Sequence, residues 1–192
     1  GLLYKEFMAI YNSNVEKIKL IEIDFCIPSV PDNTFRDKND LKSSVIYDIG
    51  CYPFSLLNDL NIINKKINIK NINNLGDFKK EKFNIEVIAN SIKINIKFGI
   101  DNSYSNSVII KKSDGEIIKF EPFFYGRKKE KRIVYNNNTF EKIRIIEDND
   151  LFKKMFNHSI ENSLISQKKR NQIMLRNILD LNTTINQYIK FF

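Results

Sequence analysis

Val108-Ile109-Ile110-Lys111-Lys112-Ser113-Asp114-Gly115-Glu116-Ile117-Ile118-Lys119-Phe120 is the stretch whose reading decides the fold. Two apolar-rich runs flank Ser113-Asp114-Gly115, a triplet suited to a tight hairpin turn. Runs joined so closely pair antiparallel, because a parallel return needs a crossover of about a dozen residues or more. Outward from this hairpin the pattern repeats. Residues 66–72, 83–88, 92–100 and 107–112 alternate Ile, Phe or Val with Lys, Asn, Ser or Glu, the period of two of half-buried strands. Asn136-Asn137-Asn138 marks a second turn, between strand-like residues 132–135 and 140–146. Near the start, Ile21, Ile23, Phe25 and Ile27 alternate with Glu22, Asp24 and Cys26, which predicts one more strand over 17–27.

Helical patterns surround this block. Pro53 stands early in a segment carrying Phe54, Leu56, Leu57 and Leu60, so a helix is expected to start near Cys51 or Tyr52. Asn149-Asp150 can cap a helix with Leu151, Phe152, Met155, Phe156 and Ile160 on one side. Ile173, Ile178, Leu181, Ile185 and Ile189 continue at helical spacing. The opening residues 2–11 fit either the last turns of a helix or a connector. Residues 28–40 read as a loop, long enough to suggest a functional role. Strands grouped in the middle, with helices before and after, indicate an α+β fold: an open, mostly antiparallel sheet with helices packed on one face. No internal repeat or linker divides residues 1–192, so a single domain is expected.

Composition narrows the function classes. A chain of 192 residues with 42% hydrophobic content, 15 Phe and 8 Tyr supports a real core and excludes wholesale disorder. No apolar run approaches the roughly 18 residues of a membrane span, and Lys5 and Glu6 break the only candidate for a signal peptide. Cys26 and Cys51 are too few for a disulfide framework and lack metal-ligand spacing. The expected compartment is a reducing cytoplasm. The net charge of +8 comes chiefly from Lys scattered along the chain, with abundant Asn and Ile, residues that share adenine- and thymine-rich codons. No nucleic-acid reader motif accompanies it, so neither nucleic acid nor a membrane is the expected partner; a basic nucleic-acid-binding domain is the rival that charge alone supports. The chain opens at Gly1 rather than Met, which suggests an excised or processed piece.

Searches for a self-contained catalytic centre return little. The 6 glycines offer no spacing for a dinucleotide or phosphate loop, so no cofactor-binding residue is assigned. His158, the only histidine, sits in a helical pattern without Cys, Asp or Glu at ligand spacing, and no metal site is assigned. What remains is Asp48-Ile49-Gly50-Cys51-Tyr52-Pro53. It sets an acid and a phenol four residues apart across a helix N-terminus, where they can share a face. Negative charge is favoured near that end of a helix, which suits a Tyr that donates a proton. Gly50 between them would let a ligand approach the backbone. An Asp cap, a Gly turn and a core Tyr explain the same six residues.

With its surroundings, this motif resembles the Asp-x-Gly-x-Tyr/His signature in the second domain of the Gfo/Idh/MocA oxidoreductases. Upstream, Ile23-Asp24-Phe25-Cys26-Ile27-Pro28, Pro31 and Phe35-Arg36 are similar to the strand and loop preceding the signature in members acting on nucleotide-linked keto-sugars. Downstream, Phe98-Gly99-Ile100, Ser103-Tyr104 and Ser113-Asp114-Gly115-Glu116-Ile117 resemble a later strand pair and hairpin of that family. The likeness covers about residues 18–120.

The resemblance implies the C-terminal domain of a two-domain, NAD- or NADP-dependent oxidoreductase acting on a sugar or nucleotide-sugar, with the cofactor held mainly by an N-terminal Rossmann domain that this chain lacks. It implies catalytic roles for Tyr52 as general acid or base and for Asp48 in orienting substrate or tuning Tyr52. Arg36 and Tyr104 become substrate-binding candidates, Arg36 because a guanidinium matches phosphate geometry. Two departures stand out. Lys42-Ser43-Ser44-Val45 occupies the place of a glycine run, and the family's Glu-Lys-Pro motif does not occur. The chain alone is therefore expected to be inactive. The alternative is a non-catalytic module that forms homo-oligomers or binds partners through the open sheet face.

Overall fold

The computed structural model describes residues 1–29, 45–60, 66–74, 80–89, 91–101, 103–124, 130–137 and 139–147, with helical positions between 168 and 183. The expected helix at 151–165 lies outside the described residues, as does His158 within it. The element order is α1 (Leu2–Asn14), a 3-10 turn (Val15–Lys17), β1 (Ile18–Ile27), α2 (Val45–Asp48), α3 (Cys51–Asp59), β2 (Lys66–Asn73), β3 (Lys82–Ala89), β4 (Ile92–Ile100), β5 (Ser105–Lys112), β6 (Ile117–Glu121), β7 (Glu130–Asn137) and β8 (Phe140–Glu147).

The strands form one open sheet of eight in the order β2-β3-β4-β1-β5-β6-β7-β8. Every pairing is antiparallel except β1 with β4. Alternation decides which face is buried. Phe83, Phe98, Phe25 and Asn106 stand side by side across β3, β4, β1 and β5, and Ile85, Ile96, Ile23 and Val108 form the next row. All eight of these residues are buried. Phe120 and Ile133 extend the buried face into β6 and β7.

The helices cover this face. The opening segment is a full helix of 13 residues rather than a connector, with Leu3, Phe7 and Tyr11 buried at a spacing of four. One stripe of α1 is thus apolar and packs onto the sheet, and Phe7 meets Phe120 edge to face at 5.3 Å. α3 contributes Phe54, Leu56 and Leu57 to the core, with Phe54 edge-on to Phe98. A hydrogen bond from the Tyr4 hydroxyl to the Asp59 carboxylate ties α1 to α3.

Turn chemistry closes the hairpins. In the β5–β6 turn, Gly115 adopts φ +88°, a conformation that glycine enters without a Cβ penalty, and the Asp114 carboxylate accepts from the Glu116 N–H at 3.0 Å. The Asn137 side-chain oxygen accepts from the N–H groups of Thr139 and Phe140 to close the β7–β8 turn. Gly99 has φ +140°, and the Glu81 carbonyl oxygen lies 2.3 Å from where its Cβ would stand. Only glycine admits that approach.

Candidate active site

Tyr52 occupies the first turn of α3, just after the N-cap Gly50. The preceding bend is held by Val45, whose carbonyl accepts from both Ile49 and Gly50. Pro53 costs no hydrogen bond in a first turn, where backbone N–H groups have no helical partner. The half-buried Tyr52 ring packs edge-on against Phe25 of β1, with centroids 4.8 Å apart, and against Phe124 at 6.0 Å. Phe25 and Phe124 are themselves 5.2 Å apart. The phenol is therefore held by an aromatic wall at the end of β1.

Asp48 ends α2 on the other side of the bend and is half-buried. Its carbonyl accepts from the Cys51 thiol at 3.3 Å. Burial, with the Asp48 charge second, pushes the Cys51 thiol up to about 11. A thiol held that firmly protonated is no nucleophile at neutral pH. Gly50 does not serve as a gap for a ligand. A Cβ there would meet the Ile46 carbonyl oxygen at 2.4 Å and the Phe98 ring at 2.9 Å, so the space is already filled by protein.

Tyr104 precedes β5 and is 50% exposed. Its hydroxyl accepts a hydrogen bond from Asn106 at 2.7 Å, and the Asn106 amide oxygen accepts from the Phe124 N–H at 2.7 Å. Tyr52 and Tyr104, both expected at the site, are thus linked through Phe124 and Asn106. Neither connecting residue is apparent from sequence pattern: Asn106 is a polar residue at a core position of a strand, and Phe124 follows β6 in irregular chain. Arg36 lies outside the described residues.

The opposite face of the sheet is charged. A shallow cavity of about 500 Å³ opens there, bordered by Glu22, Asp24, Glu86, Lys93, Asn95 and Lys97. Neither Phe25, Tyr52 nor Phe124 lines it, and its β1 residues Glu22 and Asp24 alternate with Ile23 and Phe25 along the strand, so it is separate from the aromatic wall. Its charges are paired. Glu86 sits between Lys70 at 2.8 Å and Lys93 at 2.6 Å, and these partners hold its carboxyl down to about 2. Lys97 reaches Asp101 at 3.1 Å and Asp24 at 3.8 Å. Burial works against the Lys97 charge, but Asp101 and Asp24 outweigh it and raise its pKa. Ser105 donates to Asp24 and accepts from the Cys26 N–H. Burial first, and Asp24 second, lift the Cys26 thiol to about 11.

Among the described residues no group of three His, Cys, Asp or Glu is arranged to hold a metal. Nor do their glycines form a dinucleotide cradle: the Cβ positions of Gly50 and Gly99 are occupied by protein atoms, and Gly115 caps a hairpin. No described helix is long and apolar enough to cross a membrane.

No protein-family model matches the sequence, and no curated protein matches it significantly. Solved structures do match the fold. The 3-ketoreductase KijD10 from Actinomadura kijaniata, in complex with NADP and TDP-benzene, superposes with a TM-score of 0.70 at 15% identity, over 91% of this chain and 55% of that one. An aldose-aldose oxidoreductase from Caulobacter crescentus, complexed with glycerol, gives 0.71 at 11% identity over 99% and 59%. The dehydrogenase MviM from Clostridium difficile gives 0.56 at 12% identity over 96% and 60%. These are Gfo/Idh/MocA-type oxidoreductases. At such identities the likeness is one of fold, and the chain spans little more than half the length of each.

Proposed function

We propose that this chain is the substrate-binding and catalytic half of an NAD(P)-dependent oxidoreductase that interconverts a carbonyl and a hydroxyl on a sugar or nucleotide-sugar. The observation that carries the reading is the position of Tyr52. A phenol in the first turn of a helix, fixed by two aromatic rings, stands in a fold shared with a 3-ketoreductase and an aldose-aldose oxidoreductase. NAD or NADP supplies or accepts hydride in such chemistry. The described residues do not fit that cofactor, so it is assigned mainly to a Rossmann domain N-terminal to this one, and residues 1–192 form a single domain that is inactive alone.

The chain's own contribution is binding and proton transfer. In the reducing direction the Tyr52 hydroxyl gives its proton to the oxygen that was the carbonyl; in the oxidising direction the Tyr52 oxygen takes the proton from the substrate hydroxyl. Asp48, across the bend, orients substrate or tunes Tyr52. Tyr104 and Arg36 contact substrate, with Arg36 suited to a phosphate. Two free cysteines agree with a cytoplasmic setting.

The test is turnover of NADPH or NADP by the full-length protein with a panel of keto-sugars, free aldoses and their nucleotide-linked forms. Turnover by the intact protein, and none by residues 1–192 alone, supports the reading. A protein inert toward the whole panel overturns it.

A second reading keeps the fold without the chemistry. The open face carries alternating charges together with exposed Ile143 and Ile145 on β8, and a second copy of the chain is the proposed occupant of that face. Sedimentation at two salt concentrations tests it, since an interface built on ion pairs loosens with salt. In the catalytic reading this homo-oligomer coexists with activity; in the module reading it is the whole function.

A further inference from the structure

The open face of the sheet carries two adjacent rows of side chains across β3, β4, β1 and β5. Asn84, Lys97, Asp24 and Ser107 stand side by side in one row, and Glu86, Asn95, Glu22 and Ile109 in the next. All of them border the cavity of about 500 Å³ on that face. Its volume is that of a small-molecule site, and proton transfer at Tyr52 makes no use of it.

The charges of the lining exclude most ligands. Lys70, Lys93 and Lys97 face Glu22, Asp24 and Glu86, so the lining is neutral. Each charge is already paired: Glu86 with Lys70 and Lys93, Asp24 with Lys97, and Glu22 with Lys111 at 3.0 Å. A phosphate or a metal ion gains nothing net from such a surface and would compete with these pairs. No aromatic ring lines the cavity, so a nucleobase has nothing to stack on.

The uncommitted groups are neutral. Asn84, Asn95 and Ser107 are half-buried, and among the described residues none of their side chains has a hydrogen-bond partner. An amide and a hydroxyl each donate and accept. An ammonium–carboxylate pair does the same as a unit: Lys93 beside Glu86 at 2.6 Å sets donors a hydrogen-bond length from lone pairs. Neighbouring hydroxyls of a sugar offer the matching pattern, a donor beside an acceptor at that separation. From Asn84 to Ser107 is three strand spacings, roughly 14 Å, which is longer than one sugar ring.

We propose that this cavity binds a short neutral oligosaccharide laid across the strands, its hydroxyls held by the amides of Asn84 and Asn95 and the hydroxyl of Ser107. The site is separate from the aromatic wall around Tyr52 and binds without turnover, so it does not rest on the catalytic reading.

Calorimetry on the full-length protein with maltotriose, cellotriose, chitotriose and glucose tests it, for wild type, Asn95→Leu, Ser107→Ala and Tyr52→Phe. At least one trisaccharide is expected to bind wild type, and glucose about tenfold more weakly, because it spans fewer groups. Asn95→Leu keeps the size of the side chain and should weaken the trisaccharide about tenfold, the scale of one hydrogen bond or two. Ser107→Ala should weaken it less, and neither should change turnover. Tyr52→Phe should bind the trisaccharide as wild type does. Absence of trisaccharide binding at millimolar concentration overturns the proposal, as does an affinity that neither Asn95→Leu nor Ser107→Ala alters. Binding lost in Tyr52→Phe but kept in Asn95→Leu also overturns it and puts the sugar at the aromatic wall. A second copy is the competing occupant: a wild type that binds no trisaccharide and sediments as a dimer, which Asn95→Arg dissociates, gives the face to that copy. If a thermal melt shows Asn95→Leu unfolded, Ser107→Ala and Asn84→Ala decide in its place. Trisaccharide binding with no turnover of any sugar keeps this site and removes the catalytic reading; turnover without such binding does the reverse.

Discussion

The rings of Phe25 and Tyr52 meet edge to face, with their centroids 4.8 Å apart and their planes at 65°. The contact joins the end of a central strand to the first turn of a helix. It uses a favoured aromatic geometry, worth about 0.5–1.5 kcal/mol beyond the area buried. A tyrosine needed only for packing would be as well served by phenylalanine, so the hydroxyl and the ring can be tested separately.

Tyr52→Phe keeps the ring and removes the proton. In the full-length protein it is expected to lower kcat by roughly 10²–10⁴, the usual contribution of a positioned acid or base, while stability shifts by less than about 1 kcal/mol. Steady-state kinetics and a thermal melt of the same preparation check both. Unchanged turnover would move the protein to the non-catalytic reading.

Glycine replacements separate crowding from backbone strain. Gly50→Ala is expected to cost about 1–3 kcal/mol, because the added methyl meets the Ile46 carbonyl and the Phe98 ring. Gly99→Ala should cost more, since its Cβ would lie 2.3 Å from the Glu81 carbonyl at a φ of +140°. Urea unfolding gives both numbers, and the reverse ranking would contradict the account.

Acid stability should depend on Glu86. Its carboxyl is held down to about 2 from an ordinary 4.5, first by hydrogen bonds from Lys70 and Lys93. A depressed carboxyl stabilises the fold fully above about pH 4.5, and that contribution is lost as pH falls toward 2. Glu86→Gln should flatten the pH dependence of the urea midpoint across this window. Both lysines are more than half exposed, so 1 M salt should shrink the effect in wild type as well. Equal slopes for wild type and variant would rule out this role.

Alkali should act through the thiols. Cys26 and Cys51 each rise to about 11, chiefly through burial. Groups raised in the folded state stabilise it below about 9, and that stability is lost as pH climbs through 11. Iodoacetamide at pH 8 is accordingly expected to label the folded chain far more slowly than the chain in urea. Similar rates in both states would show that neither thiol is protected.

The central strands were readable because apolar and polar residues alternate along them with one face buried: Ile92 to Phe98 and Ile21 to Phe25 both follow this pattern with different polar residues in the outer positions. Both hairpins were readable because turn chemistry is local. The place of β1 was not. Its pairing with β4 joins residues far apart in sequence, and no periodicity records a neighbour. The N-terminal helix was readable only as an apolar segment, since Leu3, Phe7 and Tyr11 mark a face without marking where the helix ends. Tyr52 and Asp48 are proposed from a motif, and the structure sets them on either side of the bend between α2 and α3. Gly50 was misjudged because the motif says that a side chain is absent without saying what fills the gap. Asn106 and Phe124 escaped because their roles arise only when β5 and the segment after β6 are brought together.

The central position of β1 has a consequence for biosynthesis. Phe25 finds its neighbours in Phe98 and Asn106, so β1, once made, waits for more than 70 further residues before either side of it is occupied. Throughout that interval Ile21, Ile23 and Phe25 face water on a strand with two open edges, the condition under which nascent chains stick to one another. Translation rate and chaperone supply will therefore govern how much of this protein a cell recovers, and a transcript that ends before residue 105 will yield aggregate rather than a smaller domain.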